Sequence, residues 1–186
     1  EDEIMQAVIE SRNNGLNNLN ALIQTSITED EYQKDLVLSS PLRVLDCPPI
    51  SDGASAMIIA SEDKAFNFSS NPIWIKGIDH RIETSNLGAR NLSSSPSIKS
   101  AMKSLDIENT TFDIAEIHTQ FSHEYPFLRK LLNLENIPIN LSGGPLVGNV
   151  MMAAGLDAIG KVYEQLSTNS YKRGLAHATS GPCLQH

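Results

Sequence analysis

His118 is the histidine whose position in the sequence most favours a chemical role. It ends segment 112–118, which is predicted to be a strand, and it precedes Thr119-Gln120-Phe121. Binding sites of α/β proteins form at strand ends, and an imidazole there can exchange a proton near neutral pH. The alternative interpretation is a histidine hydrogen-bonded in the wall of a loop, and the spacing leaves both open.

A second candidate is a glycine-bearing loop that leads from a short extended segment into a predicted helix. It reads Ser142-Gly143-Gly144-Pro145-Leu146-Val147-Gly148-Asn149. Its main-chain N–H groups and the helix dipole could face an anion or a carbonyl oxygen. The loop fits neither GxGxxG nor GxxxxGK[ST], so dinucleotide and P-loop sites are not supported. The alternative is a tight turn that packs a helix against the sheet.

The third candidate is a thiol with a nearby imidazole. His177 and Cys183 lie in one predicted strand–turn–strand segment, and such a pair can act as base and nucleophile if the two come within hydrogen-bond reach. The alternative for Cys183 is a small buried apolar residue, and this applies more strongly to Cys47. Two distant cysteines give no disulfide framework and no CxxC metal or redox signature, so we expect a reducing, cytoplasmic compartment and no metal site.

The elements that must position these residues follow from hydrophobic spacing and turn signals. Helices are predicted from about residue 3, from about residue 29 behind the Thr28/Glu31 capping pattern, after Ser95-Pro96, over Glu124–Leu132, and from Asn149 onward. Strands or extended segments are predicted over 42–46, 54–60, 73–78, 112–118, 137–141 and 173–179, and from Cys183. Trp74, Met151 and Met152 are predicted to lie in the core.

Ser69-Ser70-Asn71-Pro72 is the best boundary candidate, because it combines turn formers with a proline between apolar segments. Together with the turn signal Ser39-Ser40-Pro41, it divides the chain into a helical and loop region (1–40), a short unit (41–70) and a longer one (71–186). The alternation of strands and helices after residue 72 indicates a layered α/β fold, a mixed sheet covered by helices on both faces.

Composition excludes several classes of protein. The chain has 186 residues, and 14 Lys+Arg against 22 Asp+Glu give a net charge of −8, which would repel nucleic acid and anionic membranes. No apolar stretch approaches the ~20 residues that span a bilayer. The sequence opens on Glu1-Asp2-Glu3 without Met or a signal-like run, so we expect it to begin within a longer protein.

Four segments, in this order along nearly the whole chain, resemble the thiolase superfamily, specifically its sterol-carrier or lipid-transfer-type branch of acetyl-CoA acetyltransferase-like proteins. They are Pro41-Leu42-Arg43-Val44-Leu45-Asp46-Cys47-Pro48-Pro49-Ile50-Ser51-Asp52-Gly53-Ala54-Ser55-Ala56, Glu116-Ile117-His118-Thr119-Gln120-Phe121, Asn140-Leu141-Ser142-Gly143-Gly144, and Gly174-Leu175-Ala176-His177-Ala178-Thr179-Ser180-Gly181-Pro182-Cys183-Leu184-Gln185. The resemblance implies a fold of two similar α/β halves, of which this chain matches the end of the first (41–70) and most of the second (71–186).

The resemblance also implies site residues. His118 matches the family's strand-end Asn or His, which helps to build an oxyanion hole, and Gln120 stands where some members have a catalytic cysteine. Asn149 takes the place of the histidine in the family's Gly-His-Pro, and an amide cannot act as a base. His177 and Cys183 match the segment in which many thiolases keep a catalytic cysteine, with Cys183 displaced by a few residues. Ser142, Gly143 and Gly144 precede the family's Gly-His-Pro loop, and we expect them to bind the coenzyme A thioester.

The function implied first is an acyltransferase acting on acyl-CoA thioesters, without a permanently bound cofactor. Its expected partners are the acyl-CoA substrate and either a second copy, the rest of a two-half enzyme or a small acyl-CoA-binding subunit. Two alternative functions stay open, because Gln120 and Asn149 stand where the family has a catalytic cysteine and a catalytic histidine. One is a non-catalytic homologue that binds acyl-CoA or a partner, and the other is a retro-aldol lyase.

Overall fold

A computed structural model describes residues 1–84, 86–168 and 171–179. Its helices are α1 (Asp2–Gly15), α2 (Glu29–Lys34), α3 (Glu62–Ala65), α4 (Pro96–Ser104), α5 (Glu124–Leu131) and α6 (Ala154–Thr168), and its strands are β1 (Val37–Ser39), β2 (Leu42–Arg43), β3 (Ile114–Ile117) and β4 (Gly174–His177). Short 3-10 turns cover Val44–Asp46, Leu87–Ala89, Gly144–Leu146 and Met151–Ala153.

The strand β3 lies at the centre of the larger sheet. It pairs in parallel with β4, and Ala115 forms a parallel bridge to Ile139 on the other edge. Every residue of β3 is buried, which is typical of a parallel strand covered on both faces. The local sequence Ile-Ala-Glu-Ile supplies the β-branched residues that favour such a strand.

Helices cover both faces of this sheet. On one face α6 packs against β3 and β4, so closely that a side chain at Gly174 would collide with Val162. On the other face Ala115 and Ile117 join a buried cluster with α4 and α5 residues, including Ile98 and Leu128. The predicted layering of helices over an α/β sheet is therefore confirmed.

Capping explains where two of the predicted helices begin. Thr28 accepts a bond from the Glu31 N–H and donates its own main-chain N–H to the Glu31 carboxylate, which is the reciprocal capping box. Ser95 caps α4 through the Ile98 N–H, with Pro96 at the first helical position. Both helices begin where the sequence predicts them.

Two predicted strands are wrong. Segments 54–60 and 73–78 have no regular secondary structure, and Ile58 and Ile59 are 92% and 73% exposed. An apolar run becomes a strand only when its main-chain N–H and C=O groups find a neighbouring strand, and none lies beside these segments in the part of the chain that is described. Trp74, predicted in the core, meets Phe66 edge to face but is 42% exposed.

The helix predicted from Asn149 begins later, at Ala154. Met151 has a positive φ of 46°, which breaks the regular α-helical backbone, and a short 3-10 turn over Met151–Ala153 precedes α6. Asn149 therefore does not cap α6. Met151 and Met152, predicted in the core, are 55% and 98% exposed because this turn lies at the surface.

Segment 42–46, predicted to be extended, is a strand only over Leu42–Arg43 and then turns. The turn is stabilised by the fully buried Asp46 carboxylate, which accepts bonds from the Arg43 N–H and from the hydroxyls of Tyr32 and Ser122. The predicted division of the chain at residues 40 and 70 stays a prediction.

Leu128→Ala tests whether the cluster between the sheet and α5 stabilises the fold. Leu128 is fully buried, so the truncation should lower the free energy of unfolding by about 2–5 kcal/mol, through lost burial and the cavity that remains. The measurement is denaturant unfolding of the full-length protein. Leu19→Ala is the matched control, because Leu19 is 93% exposed and should change stability by no more than ~0.5 kcal/mol. Equal losses for both variants would contradict the assignment.

Candidate functional site

A cleft of about 780 Å³ opens where β3 ends. One wall is the glycine-bearing loop, from Ser142 to Val150, and another is the beginning of α6. Segments 18–22 and 50–54 complete it, held by main-chain bonds from Ile23 to Val147 and from Ser51 to Asn149. His118 lies in this lining, as the interpretation of a site at the strand end requires.

His118 is positioned by the sheet and by two side-chain contacts. Its main-chain N–H donates to the His177 carbonyl, which extends the β3–β4 ladder by one residue. On the ring, Nε2 lies 3.2 Å from Asn149 Oδ1 and Nδ1 lies 3.2 Å from Thr179 Oγ1. The sheet therefore brings His118 and Asn149, two of the predicted site residues, into direct contact.

The neighbours of Asn149 also fix which nitrogen of His118 carries the proton. Asn149 Oδ1 accepts the Met151 N–H at 3.1 Å, so this atom is the amide oxygen and His118 Nε2–H must donate to it. Nδ1 then accepts the Thr179 hydroxyl. Burial lowers the pKa of His118 below its usual range, against the opposing effect of the Asn149 bond. The imidazole is therefore neutral at pH 7 and presents Nε2–H toward the cleft wall.

The glycine loop is a tight turn whose N–H groups are already bonded. Gly143 and Gly144 have positive φ angles of 90° and 61°, which favour glycine. Gly143 N–H donates to the Asn140 carbonyl, Gly144 N–H to the Ser142 hydroxyl, and Ser142 N–H to Glu116. These bonds match the interpretation of a packing turn, while thioester binding by Ser142, Gly143 and Gly144 stays a prediction.

Glu116 is a site residue that the sequence reasoning missed. Its side chain lies in the cleft wall but is almost fully buried, and its two oxygens accept the Ser142 N–H (3.0 Å) and the Ser142 hydroxyl (2.6 Å). Burial raises the pKa of Glu116 to about 7, opposed by the Ser142 bonds and by the charge of Lys161. The signal was a lone carboxylate inside the apolar run Ile114–Ile117.

The asparagine-rich segment at the end of α1 and directly after it was a second missed signal. Asn14 donates to the Asn140 carbonyl and Asn18 to the Ser142 carbonyl, while Ser11 donates to the Gly143 carbonyl. Asparagine has a low helix propensity, so the sequence predicts a weak helix here. In the structure the side chains of Asn14 and Asn18 instead bind main-chain carbonyls at the glycine loop, more than a hundred residues away. The segment is thus part of the support of the site.

The remaining predicted residues are not brought together by the described structure. His177 is half-buried in β4, paired with Ile117, and Cys183 lies outside the described residues. Gln120 N–H donates to the Glu124 carboxylate. Cys47 is outside the cleft lining, and burial, then the charges of Asp46 and Asp35, raise the pKa of its thiol, so it suits a packing role.

The described residues contain no group of three or more His, Cys, Asp or Glu side chains arranged to hold a metal ion. Among the same residues, every helix is too short or too polar to cross a membrane.

Comparisons with known proteins identify relatives at low identity. No family model matches the chain. It is 25% identical over 204 aligned positions to an acetyl-CoA acetyltransferase of Methanothermobacter thermautotrophicus (97% of this chain, 53% of the relative). It is 28% identical to an acetyl-CoA acetyltransferase of Methanocaldococcus jannaschii (82% and 46%), and 26% identical to a mitochondrial 3-ketoacyl-CoA thiolase of Bos taurus (73% and 33%). The chain spans about half the length of the curated relatives it matches first.

A solved structure described as an Ltp2-ChsH2(DUF35) aldolase is similar in fold. It matches 87% of this chain and 49% of its own with a TM-score of 0.61 at 17% identity. The predicted layered α/β fold is confirmed by this match.

Asn140→Ala tests how the end of β3 is fixed to the glycine loop. Asn140 Oδ1 accepts the Ile117 N–H and its Nδ2 donates to the Ile117 carbonyl, both buried. Removing the amide leaves two buried main-chain groups without partners, so the free energy of unfolding should fall by about 2–4 kcal/mol.

The control is Asn133→Ala. Asn133 has a similar positive φ (56° against 52°) but an exposed side chain that makes an exposed hydrogen bond to the Glu108 carbonyl. Asn133→Ala therefore reports the backbone strain and the loss of one exposed bond, and should cost less by at least ~1 kcal/mol because it leaves no buried group without a partner. Equal effects in thermal and denaturant unfolding would show that the Asn140 bonds add nothing.

Proposed function

We propose that the chain is part of a thiolase-superfamily acyltransferase that acts on acyl-CoA thioesters, of the acetyl-CoA C-acyltransferase type. The names of its relatives support this class of enzyme. Since the chain spans about half of them, the proposed activity is that of the whole protein. In this proposal residues 41–70 close the first α/β half and residues 71–186 supply most of the second.

The contact between His118 and Asn149 is the observation that carries the proposal. When a carbon–carbon bond forms or breaks beside a thioester, negative charge develops on the thioester oxygen. The Nε2–H of a neutral His118 donates to Asn149 Oδ1 at the cleft wall, and the Nδ2 amide of Asn149 is a second donor there. In this proposal the thioester oxygen takes the His118 bond over from Asn149 Oδ1, and the two donors stabilise its charge as it develops.

The cleft itself suits a substrate of this kind. Its volume, about 780 Å³, lies within the range of roughly 300–1,000 Å³ typical of ligand pockets. We place the thioester against Ser142–Gly144, whose N–H groups donate within the protein, and its oxygen between His118 Nε2–H and the Asn149 amide. Partners of the whole protein in this proposal are the acyl-CoA and either a second copy or a small acyl-CoA-binding subunit.

The nucleophilic part of the proposal rests on His177 and Cys183. Acyl transfer needs a cysteine thiol and a base that removes the proton of this thiol, so that the resulting thiolate accepts the acyl group. Asn149 and Gln120 cannot accept a proton at neutral pH, so among the predicted site residues these two steps fall to His177 and Cys183, together with groups elsewhere in the whole protein.

His118→Ala in the full-length protein tests this function. With acetoacetyl-CoA and free CoA as substrates, removing one donor to the thioester oxygen should lower kcat about 10²–10³-fold. Asn149→Ala should produce a loss of the same order. Release of acetyl-CoA is followed over time by chromatography.

The matched control is His80→Ala, because His80 is an exposed histidine outside the cleft lining. It should keep the native kcat. If His118→Ala also keeps it while the native protein turns over, His118 has no part in the reaction.

A retro-aldol cleavage is the second candidate, favoured by the same two amides, Gln120 and Asn149. In that reaction the β-hydroxyl of a hydroxyacyl-CoA loses its proton and becomes a carbonyl, the Cα–Cβ bond breaks, and its electron pair forms a thioester enolate that is then protonated. No acyl-enzyme thiol is required, while the enolate oxygen still needs donors such as His118. The similarity in fold to the structure described as an aldolase supports this candidate.

One pair of assays separates the candidates. Cleavage of acetoacetyl-CoA that depends on free CoA identifies acyl transfer, whereas cleavage of a β-hydroxyacyl-CoA to a free carbonyl product without added CoA identifies the lyase. Saturable binding of acyl-CoA by calorimetry with no turnover in either assay identifies the non-catalytic homologue.

A further inference from the structure

Glu116 and His118 share one face of the strand that carries the site. Side chains two residues apart along a strand point to the same side, and both residues lie in the wall of the same cleft. They differ in what they offer to it. His118 contacts Asn149 at the strand end, whereas the Glu116 carboxylate is almost fully buried behind Ser142.

The Glu116 carboxylate holds the beginning of the glycine loop with both oxygens. One oxygen accepts the Ser142 N–H and the other the Ser142 hydroxyl, which in turn accepts the Gly144 N–H at 3.1 Å. Residues 142–149 then run directly to Asn149, whose main chain is fixed to segment 50–54. The loop that carries Asn149 is thus held at Ser142 by Glu116 and at its other end by Ser51. We infer that release of Ser142 loosens this loop and shifts the Asn149 amide against His118.

The other supports of the loop differ in kind. Ser11, Asn14 and Asn18 donate to main-chain carbonyls, which do not change charge with pH. Glu116 is an acceptor that can be protonated, and a protonated carboxyl offers only one full acceptor oxygen to the two Ser142 donors.

We propose that Glu116 is a positioning residue for the His118–Asn149 pair: its ionised carboxylate clamps Ser142 and so sets the geometry of the donors to the thioester oxygen. The inference rests on the proposed function for its effect on turnover, and on the hydrogen bonds alone for its effect on His118. Glu116 is not assigned a contact with substrate.

The charges around Glu116 determine how the clamp responds to pH. Asp157 and Lys161 face it from α6, and Tyr125 approaches from α5. Burial is the largest influence and raises the pKa of Glu116 to about 7, with Asp157 acting in the same direction and Ser142 and Lys161 against it. The clamp therefore strengthens as pH rises through about 7, and kcat should rise with it.

Glu116→Gln and Ser142→Ala test the clamp in the full-length protein. Gln keeps one acceptor, and Ala at 142 keeps the N–H bond but loses the hydroxyl. Each should lower kcat by roughly tenfold to a hundredfold, since misplacement of catalytic groups by about 1 Å has effects of this size. In Glu116→Gln, which removes no substrate contact, KM should change little. The rise of kcat near pH 7 should disappear in Glu116→Gln. The double variant should be no slower than the slower single variant, because both remove the same clamp.

Glu124→Gln is the control, because Glu124 is another buried carboxylate, one that holds the Gln120 N–H instead of the glycine loop. It should keep the rise of kcat near pH 7. A purely structural role of Glu116 would instead lower the folded fraction, measured by circular dichroism, and leave the pH profile of the folded protein unchanged. That outcome would overturn the proposal.

The NMR signal of the His118 imidazole separates this inference from the proposed function. In selectively ¹⁵N-histidine-labelled protein, the His118 Nε2 resonance should move in both Glu116→Gln and Ser142→Ala and stay in place in Glu124→Gln. If no CoA thioester is turned over but the resonance moves, the proposed function fails and the clamp stands. If the resonance is unmoved in both folded clamp variants, the clamp is refuted whatever the activity.

Discussion

The candidate site depends on how the edge of the sheet is completed by one side chain. Ala115 exchanges main-chain bonds with Pro138 and Asn140, and beyond that point the Asn140 amide takes over the ladder by bonding both the N–H and the C=O of Ile117. The chain can therefore leave the sheet at Asn140, with a φ of 52°, without leaving Ile117 unsatisfied. This early departure creates the glycine loop and places it beside the end of β3.

The wall of the cleft that the glycine loop forms depends on this turn of the chain away from the sheet at Asn140. The loop turns back at Gly143 and Gly144, where any side chain would collide with α1 or with Asn140. Its carbonyls bind the asparagines at the end of α1, and its first residue binds Glu116. Asn149 then reaches His118 across the space between the loop and the strand. The short parallel ladder of β3 and the left-handed backbone conformation of Asn140 thus determine that Asn149 contacts His118.

The sequence predicts the elements whose signals are local. Thr28 with Glu31, and Ser95 with Pro96, mark helix starts because caps satisfy main-chain groups within three residues. The run 112–118 is predicted as a strand and His118 at its end. The strands predicted for segments 54–60 and 73–78 are wrong for the opposite reason. Their apolar composition favours a buried strand, but a strand forms only where its main-chain groups can bond a neighbouring strand. The roles of Glu116 and Asn140 depend on partners 23 to 26 residues away, and no local pattern contains them.

The ionisable groups of the cleft indicate what kind of chemistry its described part can support. His118 is held neutral by burial, with its Nε2–H directed at Asn149, and Asn149 has no proton-accepting state at physiological pH. Glu116 can take up a proton near neutral pH, but both of its oxygens are occupied by Ser142. Such a wall is suited to donate hydrogen bonds to an oxygen that gains charge and poorly suited to remove a proton from carbon. The base that removes a proton therefore has to lie in the segment that contains Cys183 or in the rest of the protein. A lyase and an acyltransferase differ in which proton that base removes: the lyase base takes it from the β-hydroxyl of the substrate, and the acyltransferase base takes it from a thiol or from carbon.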